Sequence, residues 1–218
     1  MKSVALFDFE DSFTFNVYSQ LLSTPGFEKA QISVHDWREI TLEVLQSFDV
    51  IIFGPGPGHP QEYRGILSSI HRWLHLSGGA RQSFMGVCLG HQLIWSALGA
   101  RVERSYRPLH GHTETFLVPQ WEVFEPGEVG KEVKVQRYNS LAVCAAEESL
   151  LNLTSVVGNV VHQSEIQASM YSFPRLSGIS FQSHPESVGT SCPNLFFSAL
   201  VSSYEYNVGD GSTNRRTL

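Results

Sequence analysis

Residues 82–99 read QSFMGVCLGHQLIWSALG, and this stretch decides the fold class. Its first part, QSFMGVC (82–88), is apolar and typical of a buried strand. The part HQLIWSALG (91–99) has the apolar spacing of a helix that closes on Gly99. Between them GVCLG (86–90) has the form of a tight turn that presents a nucleophile between glycines, where a strand runs into a helix. The stretch predicts an α/β protein with a cysteine at the end of a core strand.

The same alternation of strands and helices extends along the first half of the chain. SVALFDF (3–9) and DVIIFG (49–54) are short apolar runs, and ILSSIHRWLHL (66–76) has helical spacing. Strands that alternate with helices indicate a parallel sheet covered by helices.

The second half changes character, because apolar and polar residues alternate in several segments, which predicts antiparallel strands on or beside the parallel sheet. These segments are TETFLVP (113–119), KEVKVQRY (131–138), LLNLTSVV (150–157) and SEIQASMYS (164–172). SGISFQSHPES (177–187) predicts a last core strand that runs into a turn, and NLFFSALVSSY (194–204) a closing helix. We expect one domain over residues 1–205 and a disordered polar tail over residues 206–218.

Composition narrows the function classes. The chain has 218 residues, 42% hydrophobic and 17% charged, and a net charge of -6. It can bury a sizeable core without disulfides or metal, and it lacks the basic surface that nucleic-acid binding needs. Asp8, Glu10 and Asp11 interrupt the apolar N-terminus, so we expect no membrane segment. Three widely spaced cysteines favour reduced thiols and a cytoplasmic location.

Cys88 has two interpretations. A thiol at a helix N-terminus is favoured as the reactive thiolate, and the free N–H groups there, including that of Leu89, can stabilise an oxyanion. The alternative is a small buried residue in a glycine-rich strand end. From the turn alone the two interpretations are about equal.

A thiol nucleophile needs a base, and the base needs a group that orients it. His184 and Glu186 in QSHPES follow the predicted last core strand. If that strand lies next to the one that ends at Cys88, all three side chains emerge at the same edge of the sheet, where ligands bind in α/β proteins.

A third feature is FGPGPGHP (53–60), directly after the strand DVIIF. Its prolines make the loop rigid, and Gly56 and Gly58 leave backbone N–H groups free to face a substrate. The loop lacks the Gly-Lys-Ser/Thr ending of a phosphate-binding loop, and a plain structural turn stays an alternative.

Together, GPGPG, GVCLGHQ and HPES, in that order, resemble the class I (triad-type) glutamine amidotransferases. DFEDSFTFN (8–16), LHGHTE (109–114) and RYNSL (137–141) further resemble segments of the glutamine-hydrolysing subunits of anthranilate synthase and aminodeoxychorismate synthase. The resemblance implies a flavodoxin-like fold with a mixed, mostly parallel central sheet, helices on both faces and a small antiparallel sheet.

The resemblance also implies roles for individual residues. Cys88 would attack the carboxamide of L-glutamine, His184 would move the proton, and Glu186 would hold the imidazole. Backbone N–H groups of Gly56 and Leu89 would meet the oxyanion. The remaining substrate contacts would come from Gly56, Pro57, Gly58, Gln92, Ser140 and Leu141.

The implied partner is a separate chorismate-binding synthase subunit that uses the ammonia. No metal or organic cofactor is expected in this chain, and magnesium is expected in the partner. Two other interpretations stay open: the glutaminase component of another ammonia-using synthase, of the guanylate or carbamoyl-phosphate type, and a non-catalytic regulatory or binding subunit of a synthase.

Some positions depart from the family pattern. His112 stands where the family usually has lysine, Asn139 where it usually has histidine, and Ser183 where an aromatic residue is common. The changes at His112 and Asn139 bear on the coupling to the partner and on the partner's identity, and Ser183 is a milder change. In DSFTFN, Asp11 or Ser12 could simply cap a helix.

Other residues of reactive types have simpler interpretations. The pairs His110/His112 and His71/His75 have spacings that a metal site could use, but we expect no metal there because no acidic or cysteine ligand accompanies them. Cys144 and Cys192 lack glycine turns and are expected to be inert thiols.

Overall fold

The computed structural model describes residues 2–76, 78–145 and 153–209, with side chains as far as Tyr204. Eleven strands are present in this part of the chain: β1 Ser3–Asp8, β2 Gln31–Asp36, β3 Val50–Phe53, β4 Gln82–Val87, β5 Val102–Arg104, β6 His112–Leu117, β7 Glu132–Arg137, β8 Leu141–Cys144, β9 Val156–His162, β10 Glu165–Ser172 and β11 Leu176–Phe181. The α-helices are α1 Thr14–Ser23, α2 Leu42–Gln46, α3 Arg64–Leu74, α4 Leu89–Ala97 and α5 Pro193–Gly209. Short 3₁₀ helices cover Trp37–Glu39 and Pro60–Tyr63.

The central sheet has the strand order β2-β1-β3-β4-β11-β10-β8-β5, and β9 pairs with β10. The strands from β2 to β11 in this order are parallel to their neighbours. The contacts among β10, β11, β8, β9 and β5 are antiparallel. A separate antiparallel sheet consists of β6 and β7. The predicted mixed sheet with a small antiparallel sheet is confirmed.

Helices cover both faces of the central sheet, as predicted. On one face α1 and α5 bury Leu21 and Phe197 in a core that also contains Cys88 and the small antiparallel sheet. On the other face α2, α3 and α4 bury Trp73 and Trp95. Since both faces are covered, β3, β4 and β11 are buried along their whole length, which explains the continuous apolar run of β3 and the lack of apolar–polar alternation in β4 and β11.

Some predicted boundaries need correction. The strand predicted at 150–157 begins only at Val156, residues 154 and 155 form a turn, and residues 150–152 lie outside the described residues. The closing helix α5 continues past residue 205 to Gly209, and the rest of the tail, residues 210–218, is outside the described residues. Helix α4 ends as predicted, with Gly99 at a φ of 95° just beyond it.

The β1–α1 turn also differs from the prediction. Helix α1 begins at Thr14 with Phe13 as its N-cap, and no side chain caps it. The Asp8 carboxylate at the end of β1 instead accepts the Thr14 hydroxyl at 2.7 Å, and Asp11 accepts the Phe13 N–H at 2.8 Å. The alternative of a helix cap at Asp11 or Ser12 is therefore wrong, because the Asp8 and Asp11 carboxylates accept these hydrogen bonds in the turn ahead of the helix.

No helix in the described ranges is long and apolar enough to cross a membrane.

Candidate active site

Three parallel neighbours at the centre of the sheet, β3, β4 and β11, end at the same edge. The loop 54–58 follows β3, Cys88 follows β4, and the segment with His184 and Glu186 follows β11. The strand before His184 is thus the direct neighbour of the strand before Cys88, which is the condition on which the grouping of the three side chains depended. Segments far apart in the chain meet here because parallel strands carry their carboxyl ends on one edge.

Cys88 occupies a strained turn between β4 and α4. Its backbone has φ 51° and ψ -102°, a conformation that a side-chain-bearing residue adopts only when its surroundings enforce it. The Cys88 N–H donates to the Phe181 carbonyl at 2.8 Å, and the Gly90 N–H donates to the Gly54 carbonyl at 3.2 Å. A Cβ on Gly90 would collide with the carbonyl of Phe53. These contacts hold the Cys88 side chain at the N-terminus of α4.

The imidazole of His184 is held by a carboxylate. His184 Nδ1 donates to Glu186 Oε1 at 2.6 Å, and both side chains are almost fully buried. Burial by itself lowers the pKa of His184, but the charge interactions and hydrogen bonds with Cys88 and Glu186 outweigh it and raise the pKa well above its usual value. His184 Nε2, the other ring nitrogen, has no hydrogen-bond partner among the described residues. It is available to receive the thiol proton.

Two aromatic rings pack against the His184 imidazole. The Phe13 ring centroid lies 5.3 Å from that of His184, and the Tyr138 ring meets the imidazole edge-on at 5.0 Å. The Tyr138 hydroxyl is in turn within 3.2 Å of Ser187 Oγ. The DSFTFN segment therefore reaches the site through Phe13, whereas Thr14 is used in the turn and Ser12 is exposed.

Cys88 Sγ also has an amide neighbour. Gln182 Nε2 donates to Cys88 Sγ at 3.6 Å. Gln92 Nε2 donates both to Gln182 Oε1 and to the Leu141 carbonyl, each at 3.0 Å. A chain of two amides thus connects the sulfur with the backbone of residue 141.

A small cavity of about 200 Å³ opens beside the sulfur. Six of the seven predicted substrate-binding residues line it together with Cys88, and His110, Tyr138 and Asn139 complete the wall: the six are Gly56, Pro57, Gly58, Gln92, Ser140 and Leu141. The seventh, Leu89, is buried, and only its backbone can serve the site.

Gly56 and Leu89, the residues expected to supply the oxyanion N–H groups, pack closely against each other. A Cβ on Gly56 would come within 2.5 Å of Leu89 Cδ2 and of Phe9 Cβ, so only glycine allows this close approach. Neither N–H has an acceptor among the described residues. Gly56 lines the cavity with Cys88, and Leu89 follows Cys88 in the chain, so both free donors belong to residues next to the sulfur, as the stabilisation of a negatively charged oxygen requires.

Asn139, which departs from the family pattern, braces the wall of the cavity. Its Oδ1 accepts from Arg137 Nε at 2.9 Å, and its Nδ2 donates to the Leu141 carbonyl at 2.9 Å. Arg137 is buried and donates to Glu114 at 2.9 Å. His112, by contrast, is exposed at the start of β6. Asn139 differs from the usual histidine of the family but is still a polar side chain, and it holds the backbone at Leu141 in place.

Behind the turn, α4 is fixed by a neutral histidine. His91 Nε2 donates to the Ile166 carbonyl at 3.0 Å, so Nδ1 accepts the Ser180 hydroxyl at 2.7 Å. Complete burial lowers the pKa of His91 to about 3, which keeps the ring uncharged. This network ties the helix that carries the site to β10 and β11.

The histidine pair 71/75, whose spacing a metal site could use, makes hydrogen bonds to backbone carbonyls instead. His71 Nδ1 contacts the Ala97 carbonyl at 2.8 Å, and His75 Nδ1 contacts the backbone of His71 at 2.9 Å. In the part of the chain that the structure describes, no three His, Cys, Asp or Glu side chains are grouped so that they could hold a metal ion.

Four site residues were not indicated by the sequence patterns: Gln182, Phe13, Tyr138 and His110. All four stand inside quoted segments, since Gln182 is in QSHPES, Phe13 in DSFTFN, Tyr138 in RYNSL and His110 in LHGHTE. Their position next to motif residues was the available signal, but it did not show which neighbour would face the site.

Comparison with known proteins gives the family. The sequence model described as glutamine amidotransferase class-I matches residues 5–202. The chain belongs to this family. This amidotransferase is 33% identical over 194 residues to anthranilate synthase component 2 of Saccharolobus solfataricus, which covers 88% of this chain and 93% of that protein. It is 33% identical over 189 residues to the aminodeoxychorismate synthase of Streptomyces griseus, covering 85% of this chain and 24% of that protein.

The amidotransferase matches other relatives only in part. It is 30% identical over 203 residues to a multifunctional tryptophan biosynthesis protein of Pichia angusta, with 92% of this chain and 51% of that protein covered. The chain thus spans about half the length of this relative. Among solved structures, a Thermoplasma acidophilum protein provisionally assigned to GMP synthase matches with a TM-score of 0.73 at 17% identity, over 96% of both chains. This likeness confirms the fold.

Proposed function

We propose that this chain hydrolyses the side-chain amide of L-glutamine and supplies the ammonia to a chorismate-binding synthase subunit. The observation that carries the proposal is the arrangement of Cys88, His184 and Glu186. The thiol stands on a strained turn at a helix N-terminus, beside an imidazole that a buried carboxylate holds at 2.6 Å. This is the combination of nucleophile, base and orienting group that acyl transfer needs.

The first half of the reaction forms a thioester. His184 Nε2 takes the proton of the Cys88 thiol, and the sulfur attacks the carboxamide carbon of glutamine. The carbonyl oxygen becomes an oxyanion that the N–H groups of Gly56 and Leu89 stabilise, where one lost donor typically costs about 10²–10³ in rate. His184 then gives its proton to the leaving nitrogen, so that ammonia departs and a γ-glutamyl thioester remains on Cys88.

The second half regenerates the enzyme. A water molecule loses a proton to His184 Nε2 and attacks the thioester carbon, and the same two N–H groups hold the oxyanion. The carbon–sulfur bond breaks, His184 returns the proton to the sulfur, and glutamate leaves. Neither half needs a metal or an organic cofactor in this chain, and we assign the expected magnesium to the synthase partner.

The small cavity supports glutamine as the substrate. A volume of about 200 Å³ suits a small metabolite, and its walls offer backbone groups of residues 56–58 and 140–141 with the Gln92 amide. Glutamine carries an ammonium and a carboxylate group, which such polar walls can bind. We assign recognition of these two groups to Gly56, Pro57, Gly58, Gln92, Ser140 and Leu141.

The relatives support the identity of the partner. Relatives whose sequences are about one-third identical to this chain are named anthranilate synthase component 2 and aminodeoxychorismate synthase. The structural likeness to the Thermoplasma acidophilum protein, at 17% identity, supports the fold alone. We therefore favour a chorismate-aminating partner over the guanylate or carbamoyl-phosphate type. The cytoplasmic location and the domain boundaries expected from the sequence stay predictions.

The test is glutamate release from glutamine by the purified chain, measured alone and with the chorismate-binding subunit of either synthase. Cys88→Ala is the decisive variant, and Cys192→Ala is the matched control because Cys192 is an exposed thiol that does not line the cavity. We expect release that Cys88→Ala abolishes, that Cys192→Ala leaves unchanged and that one partner increases.

Release that persists in Cys88→Ala would contradict the thioester mechanism. If the wild-type chain released no glutamate with either partner, the non-catalytic subunit would become the better interpretation. If a different ammonia-using synthase increased glutamate release, the hydrolysis mechanism would stand, and that synthase would replace the chorismate-binding subunit as the acceptor of the ammonia.

A further inference from the structure

We propose that Gln182 is a catalytic residue whose side-chain amide holds the thiolate of Cys88. The catalytic meaning of this contact rests on the proposed glutamine hydrolysis, but the contact itself can be tested without glutamine. Gln182 Nε2 lies 3.6 Å from Cys88 Sγ, within the range of hydrogen bonds to sulfur. The Gln182 side chain is completely buried, so water does not compete for its donors.

The orientation of the Gln182 amide follows from its neighbours. Gln92 Nε2 donates to the Leu141 carbonyl, which can only accept, so the Gln92 nitrogen must face that side. The same nitrogen lies 3.0 Å from Gln182, where it needs an acceptor and therefore meets Oε1. With its oxygen turned toward Gln92, Gln182 has its nitrogen toward the sulfur. The hydrogen-bond network thus assigns the amide, and the group that faces Cys88 is a donor.

The backbone of Gln182 is fixed as firmly as its side chain. The Gln182 N–H donates to the Gln167 carbonyl at 2.8 Å, and the preceding residue, Phe181, is paired with Val87 at the end of β4. The donor therefore has its place beside the sulfur before any substrate arrives. A preorganised donor stabilises charge without reorganisation at the moment of reaction.

The contact favours one state of the sulfur. In the thiol form Sγ is a weak acceptor, whereas the thiolate is negative and accepts a stronger, charge-assisted hydrogen bond. The thiol proton moves to His184 Nε2, which has no other partner among the described residues. Gln182 and the imidazolium then face the same sulfur, one as a neutral donor and the other as a cation. When the sulfur bonds to carbon its charge moves to the oxyanion, so Gln182 acts on the nucleophile before attack.

The test is the rate at which iodoacetamide alkylates Cys88 at pH 7 in the full chain, measured by mass spectrometry of the Cys88 peptide. The variants are Gln182→Met, which removes the donor and the acceptor, and Gln182→Glu, which keeps an acceptor for Gln92 and removes the donor. The matched control is Gln167→Met on the neighbouring strand, whose side chain contacts Glu165 instead of the sulfur. Exposed Cys192 is the internal reference in every sample.

We expect both Gln182 variants to lower the alkylation rate of Cys88 about tenfold, because a hydrogen bond to a charged group is lost. The rate of Cys192 and the circular dichroism spectrum should stay at wild-type values, and Gln167→Met should leave the rate of Cys88 unchanged. A rate within twofold of wild type in folded Gln182→Met would overturn the proposal. If Gln182→Glu fails to fold because of its buried charge, Gln182→Met decides the question.

The two proposals fail separately. A tenfold loss of alkylation in a chain that does not hydrolyse glutamine would support the Gln182 contact and contradict the proposed function. Glutamine hydrolysis that depends on Cys88, together with a wild-type alkylation rate in Gln182→Met, would support the proposed function and contradict the Gln182 contact.

Discussion

His184 Nδ1 lies 2.6 Å from Glu186 Oε1, and this hydrogen bond joins two side chains that are almost fully removed from water. Burial opposes a charge on His184, yet the pKa of the imidazole is raised well above 6.5 by its interactions with Cys88 and Glu186. A group with a raised pKa holds a proton to a higher pH than usual, which suits an imidazole that receives a proton and passes it on.

Glu186→Gln tests the contribution of the carboxylate to this charge. The amide keeps a hydrogen-bond acceptor but removes the negative charge, so the pKa of His184 should decrease. We expect the alkaline limb of the pH profile of kcat/KM for glutamine to move to lower pH, since the imidazolium that protonates the leaving nitrogen is lost earlier. An unchanged alkaline limb would show that Glu186 does not set the charge of His184.

Phe13→Ala tests whether the aromatic contact positions the imidazole. Phe13 packs 5.3 Å from His184 but does not line the cavity, so its loss should lower kcat for glutamine hydrolysis about three- to tenfold and leave KM unchanged. Phe13→Tyr should restore most of the activity. The control is Phe15→Ala, because the Phe15 side chain is 66% exposed two residues farther along. A change in KM alone would argue against positioning.

Gly90→Ala tests the packing of the cysteine turn. A Cβ at Gly90 would collide with the Phe53 backbone carbonyl, which cannot move without shifting β3. We expect the free energy of unfolding in urea to fall by about 1–3 kcal/mol. Gly65→Ala is the matched control, since Gly65 is in α3 with open space around it, and it should raise the free energy of unfolding by about 0.5–1 kcal/mol. Equal effects of the two substitutions would contradict the close approach at Gly90.

His91→Gln tests the buried neutral histidine. The folded pKa of His91 is about 3, against an ordinary value near 6.5, so between these values the unfolded chain binds a proton that the folded chain does not. Stability from this group is therefore present above pH 6.5 and is lost as the pH falls toward 3. From pH 6.5 to pH 5 the loss is about 2 kcal/mol. The free energy of unfolding, measured in urea at pH 6.5 and at pH 5, should decrease less between these pH values in His91→Gln than in the wild type. Equal decreases would contradict the low pKa of His91.

The sequence predicted the features that depend on neighbouring residues. The apolar run before GVCLG and the helical spacing after it indicate a strand, a turn and a helix, and the structure has β4, the turn at Cys88 and α4 there. Helix α4 and its end at Gly99 follow from the same local signals. The alternative of an N-cap at Asp11 or Ser12 was wrong because Asp11 accepts from the N–H of Phe13, the N-cap residue itself, while Asp8 at the end of β1 accepts the Thr14 hydroxyl.

The strands with weak patterns were missed for a different reason. β2 and β8 are short or partly exposed, and they are stabilised by pairing with β1 and β10 more than by an apolar pattern of their own. Pairing partners lie far away in the chain, so local patterns did not indicate these strands.

The sequence by itself determined the residue types of the site and their attachment to strand ends: a thiol between glycines, an imidazole and a carboxylate two residues apart, and a rigid glycine-proline loop. Only the tertiary structure decided that β3, β4 and β11 are neighbours, and so that these groups meet. It also decided which way Gln182 points and that Phe13 reaches His184. These contacts join residues that are far apart in sequence, and their geometry is set by strand order and side-chain packing, which local patterns do not encode.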